Sequence, residues 1–121
     1  MKRLAIATLA AAGLFAAAGT AHAACTFDIA AGLNANGKGF PYPGAEDRPW
    51  FTSGQTIAVA GKPYDKFGLP REFGPMDLPL LEQAGVFGGV IAFTEKGGDR
   101  EVIYVPVKAA TCTFQPYQIM R

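Results

Sequence analysis

Four side chains in this sequence could act as nucleophile, general base or metal ligand, or form a disulfide: His22, Ser53, Cys25 and Cys112. A serine or cysteine nucleophile is normally activated by an imidazole that accepts its proton. His22 lies in the stretch 18–25, AGTAHAAC, close to the first cysteine. Whether this stretch remains in the working protein therefore decides which catalytic chemistries are open to it.

Residues 1–23 have the parts of a secretory signal peptide. A basic start at positions 2 and 3 is followed by an apolar run, and small residues precede a cut after Ala23. We predict that cleavage there removes His22 and leaves a periplasmic or secreted protein. The alternative is a lipid anchor on Cys25, but His22 stands where such anchors usually have an aliphatic residue. No run reaches the about 20 apolar residues that span a bilayer, so we expect no transmembrane segment.

Without an imidazole, the chain after the cut excludes Ser-His-Asp and Cys-His catalysis. It also lacks the histidines and clustered cysteines of common zinc and copper sites, and the C-x-x-C-H sequence that attaches haem. We therefore expect no enzyme, no metal and no cofactor. One alternative stays open, a small hydrolase that uses two carboxylates as general acid and base. The acids considered for this role are Glu46, Asp47, Asp77 and Glu82.

The charges of residues 24–121 nearly cancel, with nine Lys and Arg against ten Asp and Glu. A chain with no basic stripe cannot neutralise a row of phosphates, so we expect no nucleic-acid partner. An exported chain meets oxidising conditions, in which two cysteines pair. We predict a Cys25–Cys112 disulfide that ties the first strand to the last. The alternative is two free buried thiols.

The pattern predicts a mainly β fold, which is a small single-domain barrel or sandwich with one short helix and one disulfide. Fifteen Gly and nine Pro divide the chain into short pieces and disfavour long helices. We expect this one domain to cover residues 24–121. Besides the hairpin described below, strands are predicted over 25–30, 55–61, a short segment after the turn at 61–64, and 111–119.

Two segments allow more than one interpretation. The stretch 31–54 has no hydrophobic period and is predicted to be irregular, with a short turn near 45–48, unless it contains an undetected strand. The stretch 77–85 fits a helix of one or two turns, because Asp77 could cap its start and Gly85 could end it. A short strand over 77–85 is the alternative.

The clearest local pattern is a β-hairpin over 90–107. Two β-rich runs flank Gly97-Gly98, and both glycines can take the positive φ of a type I′ turn. Apolar residues then alternate onto both faces of the hairpin, which predicts a central place between two layers. Pro106 predicts a bulge or an edge near the end of the second strand. The predicted opposite pairs are Lys96 with Asp99, Glu95 with Arg100, Phe93 with Val102, and Ile91 with Tyr104.

The aromatic residues of the proline-rich stretch 39–51 are the first candidate for a ligand site. Rigid aromatic side chains on a stiffened loop bind peptides, sugars or protein surfaces at a low cost in conformational entropy. The alternative is a satellite core, in which the same rings cover one apolar face of the hairpin. The candidates are Phe40, Tyr42, Trp50 and Phe51.

Arg71 is the second candidate, because it lies between Gly-Pro turns in the stretch 68–75, GLPREFGP. A plain connector with a neighbouring salt bridge is the alternative. Together these features predict an exported, non-enzymatic binding protein of the bacterial envelope, whose partner is an envelope protein, a peptide or a glycan. Inhibition of an exported hydrolase, with 67–75 as the inserted loop, is the second prediction. Carboxylate-dependent hydrolysis is the third.

Overall fold

Strands make up 46% of the computed structural model, which describes residues 25–121; the predicted signal peptide over 1–23 lies outside these residues. Seven strands form one sheet that curves into a nearly closed barrel, and three form a smaller sheet, the N-terminal sheet. The predicted mainly β fold with one short helix and one disulfide is confirmed. The elements are β1 Thr26–Asp28, β2 Gly32–Asn34, β3 Phe40–Pro41, α1 Pro49–Thr52, β4 Ile57–Val59, β5 Lys62–Lys66, β6 Arg71–Glu72, a 3-10 turn Leu78–Leu80, β7 Leu81–Phe87, β8 Val90–Glu95, β9 Val102–Lys108, a 3-10 turn Ala109–Thr111 and β10 Thr113–Ile119.

The barrel has the strand order β4-β5-β10-β9-β8-β7, and the short β6 pairs with β10 on the same side as β5. The two end strands, β4 and β7, lie against each other without forming a hydrogen-bonded ladder. Gly85 of β7 lies close to β4, because a Cβ there would lie 2.9 Å from Val59 Cγ1. A residue without a side chain at this position therefore lets the barrel close.

The hairpin of β8 and β9 is apolar on both faces, as predicted, and each face belongs to a different core. The inner face contributes to the barrel core, and the outer face contributes to a second cluster, the outer core. The barrel core contains Ala45, Ile57, Val59, Tyr64, Val90, Ala92, Ile103, Val105 and Tyr117. The outer core contains Cys25, Leu33, Tyr42, Leu78, Leu81, Phe93, Cys112 and Phe114.

The N-terminal sheet covers the outer core and is tied to the barrel by the predicted disulfide. Cys25 directly precedes β1 and Cys112 directly precedes β10, so the bond joins the starts of the first and last strands. Both cysteines are buried. The backbone N–H of Cys25 also donates to the carbonyl of Ala109 at 2.8 Å, which strengthens the same junction.

The predicted hairpin exists, but its register was wrong by two residues. Tyr104 lies opposite Phe93 instead of Ile91, and the connecting loop is longer than two residues. Gly97 has a φ of 73° whereas Gly98 does not have a positive φ, so the type I′ condition fails at the second glycine. Because a two-residue shift keeps each side chain on its face, the prediction of two apolar faces still holds.

A two-glycine turn of the expected kind does occur, between β7 and β8. Gly88 and Gly89 have φ values of 55° and 80°, and they connect the paired residues Phe87 and Val90. This hairpin overturns the predicted helix over 77–85: only Leu78–Leu80 forms a 3-10 turn, and the alternative, a strand, is correct from residue 81 onward. Long-range pairing with β8 outweighs the local helix signals here.

The stretch 31–54, predicted as irregular, contains two short strands and α1. The predicted turn at 45–48 is present, since the N–H of Arg48 donates to the carbonyl of Ala45, and α1 follows directly. The strands β2 and β3 were missed because they are short and the loop between them is organised by one side chain. The Asn34 amide oxygen accepts from the N–H groups of Asn36 and Lys38. The predicted bulge near Pro106 is confirmed between Pro106 and Lys108.

Candidate functional site

Trp50 and Phe51, two of the predicted ligand residues, pack against the barrel core. The Trp50 ring meets Phe87 edge to face at a centroid distance of 5.1 Å and lies over Gly88 of the β7–β8 turn. The Lys66 ammonium donates to the Phe51 carbonyl and lies 3.7 Å from the Phe51 ring centroid. Burial lowers the pKa of Lys66. Both rings are half-buried, and their contacts fasten α1 to the barrel.

Of the other two aromatic candidates, Tyr42 belongs to the outer core, and Phe40 contacts Phe27, which packs against that core. Tyr42 is buried, with its ring centroid 5.9 Å from that of Phe114, and burial raises the pKa of its hydroxyl. Phe40 stands edge to face with Phe27 at 6.3 Å and is about half exposed. The four aromatic candidates are thus divided between the two cores, and Phe40 is the most open of them.

Arg71 lies at the exposed end of this same aromatic cluster. Its guanidinium carbon is 5.2 Å from the ring centroid of Phe73 and 5.8 Å from that of Tyr104, which are cation–π distances. The two rings contact each other edge to face, and Phe73 also packs on Phe114 of the outer core. Within residues 25–121, no ion pair or hydrogen bond engages the guanidinium. Its donors are therefore held in place and open to a partner.

A small groove runs beside Arg71, and we call it the Arg71 groove. Arg71, Phe73, Leu80, Leu81 and Tyr104 line it, and its volume is about 100 Å³. Sites for free small molecules usually have volumes of about 300–1,000 Å³. The Arg71 groove is too small for such a ligand and suits a single side chain of a larger partner.

Two carboxylates, those of Asp77 and Glu95, complete the wall of the Arg71 groove. The Asp77 carboxylate accepts a hydrogen bond from the N–H of Gly74 at 3.0 Å. It does not cap the 3-10 turn that follows it. The groove therefore has an apolar floor with charges of both signs at its rim.

The segment 67–80, which we call the 67–80 loop, is held in shape from the inside of the protein. The buried Gln115 side-chain amide donates to the carbonyls of Phe67 and Gly68 at 2.9 and 3.2 Å. Farther along, the N–H of Phe73 donates to the carbonyl of Cys112 at 3.0 Å, next to the disulfide. The three prolines of the loop restrict its backbone further. These contacts hold the loop against the body of the protein.

Large apolar side chains on the 67–80 loop face solvent. Leu69 is 81% exposed, Met76 is 85% exposed and Leu80 is 60% exposed. Single exposed apolar residues are common on protein surfaces and need no explanation. Three on one braced loop, beside a groove and an unengaged arginine, are the kind of surface that binds another protein.

Three of the acids considered for hydrolysis have separate local contacts, and the fourth, Asp47, is exposed. Glu46 forms an ion pair with Lys108 at 3.1 Å, and Glu82 forms one with Arg100 at 3.5 Å. Asp77 lines the Arg71 groove, where Glu95 rather than Glu82 is the second carboxylate. In the described part of the chain, no three His, Cys, Asp or Glu side chains are grouped as a metal site would need.

The site contains residues that the sequence did not single out, namely Phe73, Leu80, Glu95, Tyr104 and Gln115. Gln115 carried a signal, because it lies between the apolar residues Phe114 and Pro116 and, once buried there, must find hydrogen-bond partners. Tyr104 and Glu95 carried none, since they reach the groove from a hairpin distant in sequence.

No helix within residues 25–121 has the length and apolar character needed to cross a membrane. Searches of protein families, curated proteins and solved structures found no match to this chain.

Proposed function

We propose that this protein is an exported, non-enzymatic interaction protein of the bacterial envelope, and that it binds a protein partner through the 67–80 loop and the Arg71 groove. The observation that carries this proposal is the braced loop, which exposes Leu69, Met76 and Leu80 beside an arginine supported by two rings. Arginine and aromatic residues are enriched among the side chains that dominate binding energy in interfaces. A partner protein would thus contact the three exposed apolar side chains and the oriented guanidinium of Arg71 at the same time.

The preformed loop favours binding over catalysis. Ordering a rotamer-rich side chain at an interface costs about 0.5–1.5 kcal/mol, and a loop that is already fixed avoids much of the equivalent backbone cost. Gln115 performs this fixing from a buried position, where a polar group is retained only if it is hydrogen-bonded. Export agrees with the disulfide, because such bonds persist in oxidising compartments.

Site-specific photo-cross-linking tests the proposal in cells that naturally produce the protein. A photoreactive amino acid replaces Leu69 in one variant and Ile29 in the control. Ile29 is 93% exposed, lies on the turn between β1 and β2, and does not line the Arg71 groove. We expect a discrete adduct of defined mass from position 69 and none from position 29. Equal adducts from both positions, or none from position 69, would refute the proposal.

Inhibition of an exported hydrolase is a second candidate, favoured by the rigid presentation of Leu69 between Gly68 and Pro70. A residue before proline is restricted to extended conformations, as enzyme-inserted loops require. The test is the inhibition constant against a panel of exported peptidases and glycosidases. Leu69→Ser and Arg71→Ala should weaken inhibition while the melting temperature stays constant, and Ile29→Ser should have no effect. A panel without any inhibited enzyme would leave simple binding as the function.

A further inference from the structure

A second groove continues the Arg71 groove along the β8–β9 hairpin, and we call it the Asp99 groove. Its volume is about 170 Å³, and Gly98, Asp99 and Val102 form part of its wall. Glu95 and Tyr104 line both grooves. The two grooves therefore adjoin at these two side chains, and we call the pair of grooves the channel.

The Arg71 half of this channel carries charges of both signs, whereas the Asp99 half carries more carboxylate than free cation. Arg71 supplies the cation of its half, and within residues 25–121 no carboxylate pairs with it. Glu95 stands where the halves meet, and its side chain has no ion pair or hydrogen bond among the same residues. Asp99 adds a second carboxylate on the far side, where it accepts from the N–H of Glu101 at 3.0 Å.

The cation of the Asp99 groove, Arg100, is already engaged elsewhere. Its guanidinium lies 3.5 Å from the Glu82 carboxylate and donates to the carbonyl of Ala84. It therefore neutralises the carboxylates of its own groove only in part. The Asp99 half remains acidic. The Arg71 half presents an unpaired guanidinium beside Leu80, and its own carboxylate, Asp77, already accepts from the N–H of Gly74.

We infer that the channel holds an extended segment of the partner protein with an acidic, an apolar and a basic side chain at alternate positions. Alternate side chains of an extended chain point to the same face, so all three can enter the channel together. The acidic side chain pairs with Arg71, the apolar one packs on Leu80 and Tyr104, and the basic one pairs with Glu95. This inference rests on the proposed function and names the kind of segment that the same surface recognises.

The segment binds through its side chains and does not add a strand to the barrel sheet. The exposed edge beside the Arg71 groove is β6, which is two residues long. Pro70 precedes it directly and Pro75 follows closely, and proline cannot donate to a ladder. Short edges flanked by proline resist pairing with another strand. Specificity must then come from the charges and the apolar contact.

Titration of the folded, disulfide-bonded protein with capped pentapeptides, followed by ¹⁵N NMR, tests this inference. The mixed-charge probe is Glu-Ala-Leu-Ala-Lys, used in both orders. The controls carry two Glu, two Lys, or Ser in place of the central Leu. We expect one mixed-charge order to bind with a Kd on the order of 1 mM and to move the amide signals of Glu95 and Tyr104. Each control should bind about three- to tenfold more weakly.

A charge reversal makes the test specific. Arg71→Glu should change the preference from the mixed-charge peptide to the peptide with two Lys. Lys62→Glu is the matched control, because Lys62 is an exposed cation that does not line the channel and the change in net charge is the same. The dispersion of the amide spectrum verifies that both variants fold. An unchanged preference in Arg71→Glu, equal binding of all peptides, or no binding at about 10 mM would overturn the inference.

The two proposals fail in different ways. A cross-link from position 69 together with peptides that show no charge preference would keep the protein-binding function and remove the mixed-charge segment. The absence of a cross-link from position 69 would remove the proposed function itself, whatever the peptides do.

Discussion

Gly85 offers a sharp test of how the barrel closes, because Gly85→Ala places a methyl group between β7 and β4. The new Cβ would lie 2.9 Å from Val59 Cγ1 and 3.3 Å from the backbone N of Ala60. Val59 is buried, and its β-branched side chain has little rotamer freedom with which to move away. The φ of Gly85 is not positive, so the backbone itself accepts alanine. Any decrease in the free energy of unfolding of Gly85→Ala therefore comes from the clash between the new methyl group and β4.

The magnitude follows from two opposing effects. Overpacking a core costs about 1–3 kcal/mol. Replacing glycine by alanine returns about 0.4–1 kcal/mol by restricting the unfolded chain. Taking the middle of each range, the net loss in the free energy of unfolding is about 1–2 kcal/mol, which lowers Tm by about 4–16 °C in a domain of this size. The assay is thermal and urea unfolding of the oxidised protein.

Two further variants make this prediction specific to the clash. Gly74→Ala is the matched control, because its Cβ would meet only Asp77 Oδ2 at 3.7 Å, and we expect its stability to stay within about 0.5 kcal/mol of wild type or to rise. Val59→Ala in the Gly85→Ala background removes the atom that clashes, so the two changes should couple by about 1 kcal/mol. Additive effects, or a Gly85→Ala protein as stable as Gly74→Ala, would show that this contact does not limit closure.

Three other perturbations have defined outcomes. Alanine at both disulfide cysteines should reduce the free energy of unfolding by about 4–5 kcal/mol and abolish the sensitivity of unfolding to reductant, because the bond closes a loop of 87 residues. Burial raises the pKa of Tyr117 to about 12, so as the pH rises the unfolded state loses the phenol proton before the folded state does. The free energy of unfolding therefore falls between about pH 10 and 12. Urea titrations at alkaline pH should show a smaller fall for Tyr117→Phe than for the wild type. Gly88→Ala should displace the Trp50 ring and shift its fluorescence to longer wavelength, whereas Gly61→Ala, with a similar positive φ and open space around it, should lose stability without that shift.

The sequence predicted those parts of the fold that depend on local pattern or on few choices. Two cysteines allow one pairing, and the Cys25–Cys112 bond is present. Alternating apolar residues on the β8–β9 hairpin predicted its place between two cores, and both cores exist. Neither the alternation of apolar residues nor the number of cysteines depends on the exact strand register, which is why these predictions hold.

Features set by contacts between distant segments could not be predicted. The dipeptide Gly-Gly permits positive φ but does not select a register, and the tight turn formed at Gly88-Gly89 instead of the later pair. Leu81 begins a strand because β8 is available beside it, a partner that the local signals of 77–85 do not reveal. Propensity is a weak prior that tertiary pairing overrides.

The candidate site shows the same division. Arg71 was singled out from its turn-rich surroundings, and the structure supports it on two rings, of which Phe73 is its near neighbour and Tyr104 comes from β9. The aromatic stretch 39–51 was predicted as a unit, but its residues contact two different cores. Tyr42 is buried in the outer core and Trp50 packs on Phe87. Which ring faces which core depends on the path of the chain around the barrel.

The junction between Cys25 and Cys112 also distinguishes finished molecules from unfinished ones. Any fragment of the chain that stops before residue 112 lacks the second sulfur and keeps Cys25 as a thiol, whereas an intact, oxidised molecule has none among residues 25–121. Thiol labelling under denaturing conditions would therefore measure directly the fraction of molecules that are truncated or whose disulfide has not formed. The same bond lets an intact copy retain its amino-terminal strands after a single backbone cut anywhere between the two sulfurs.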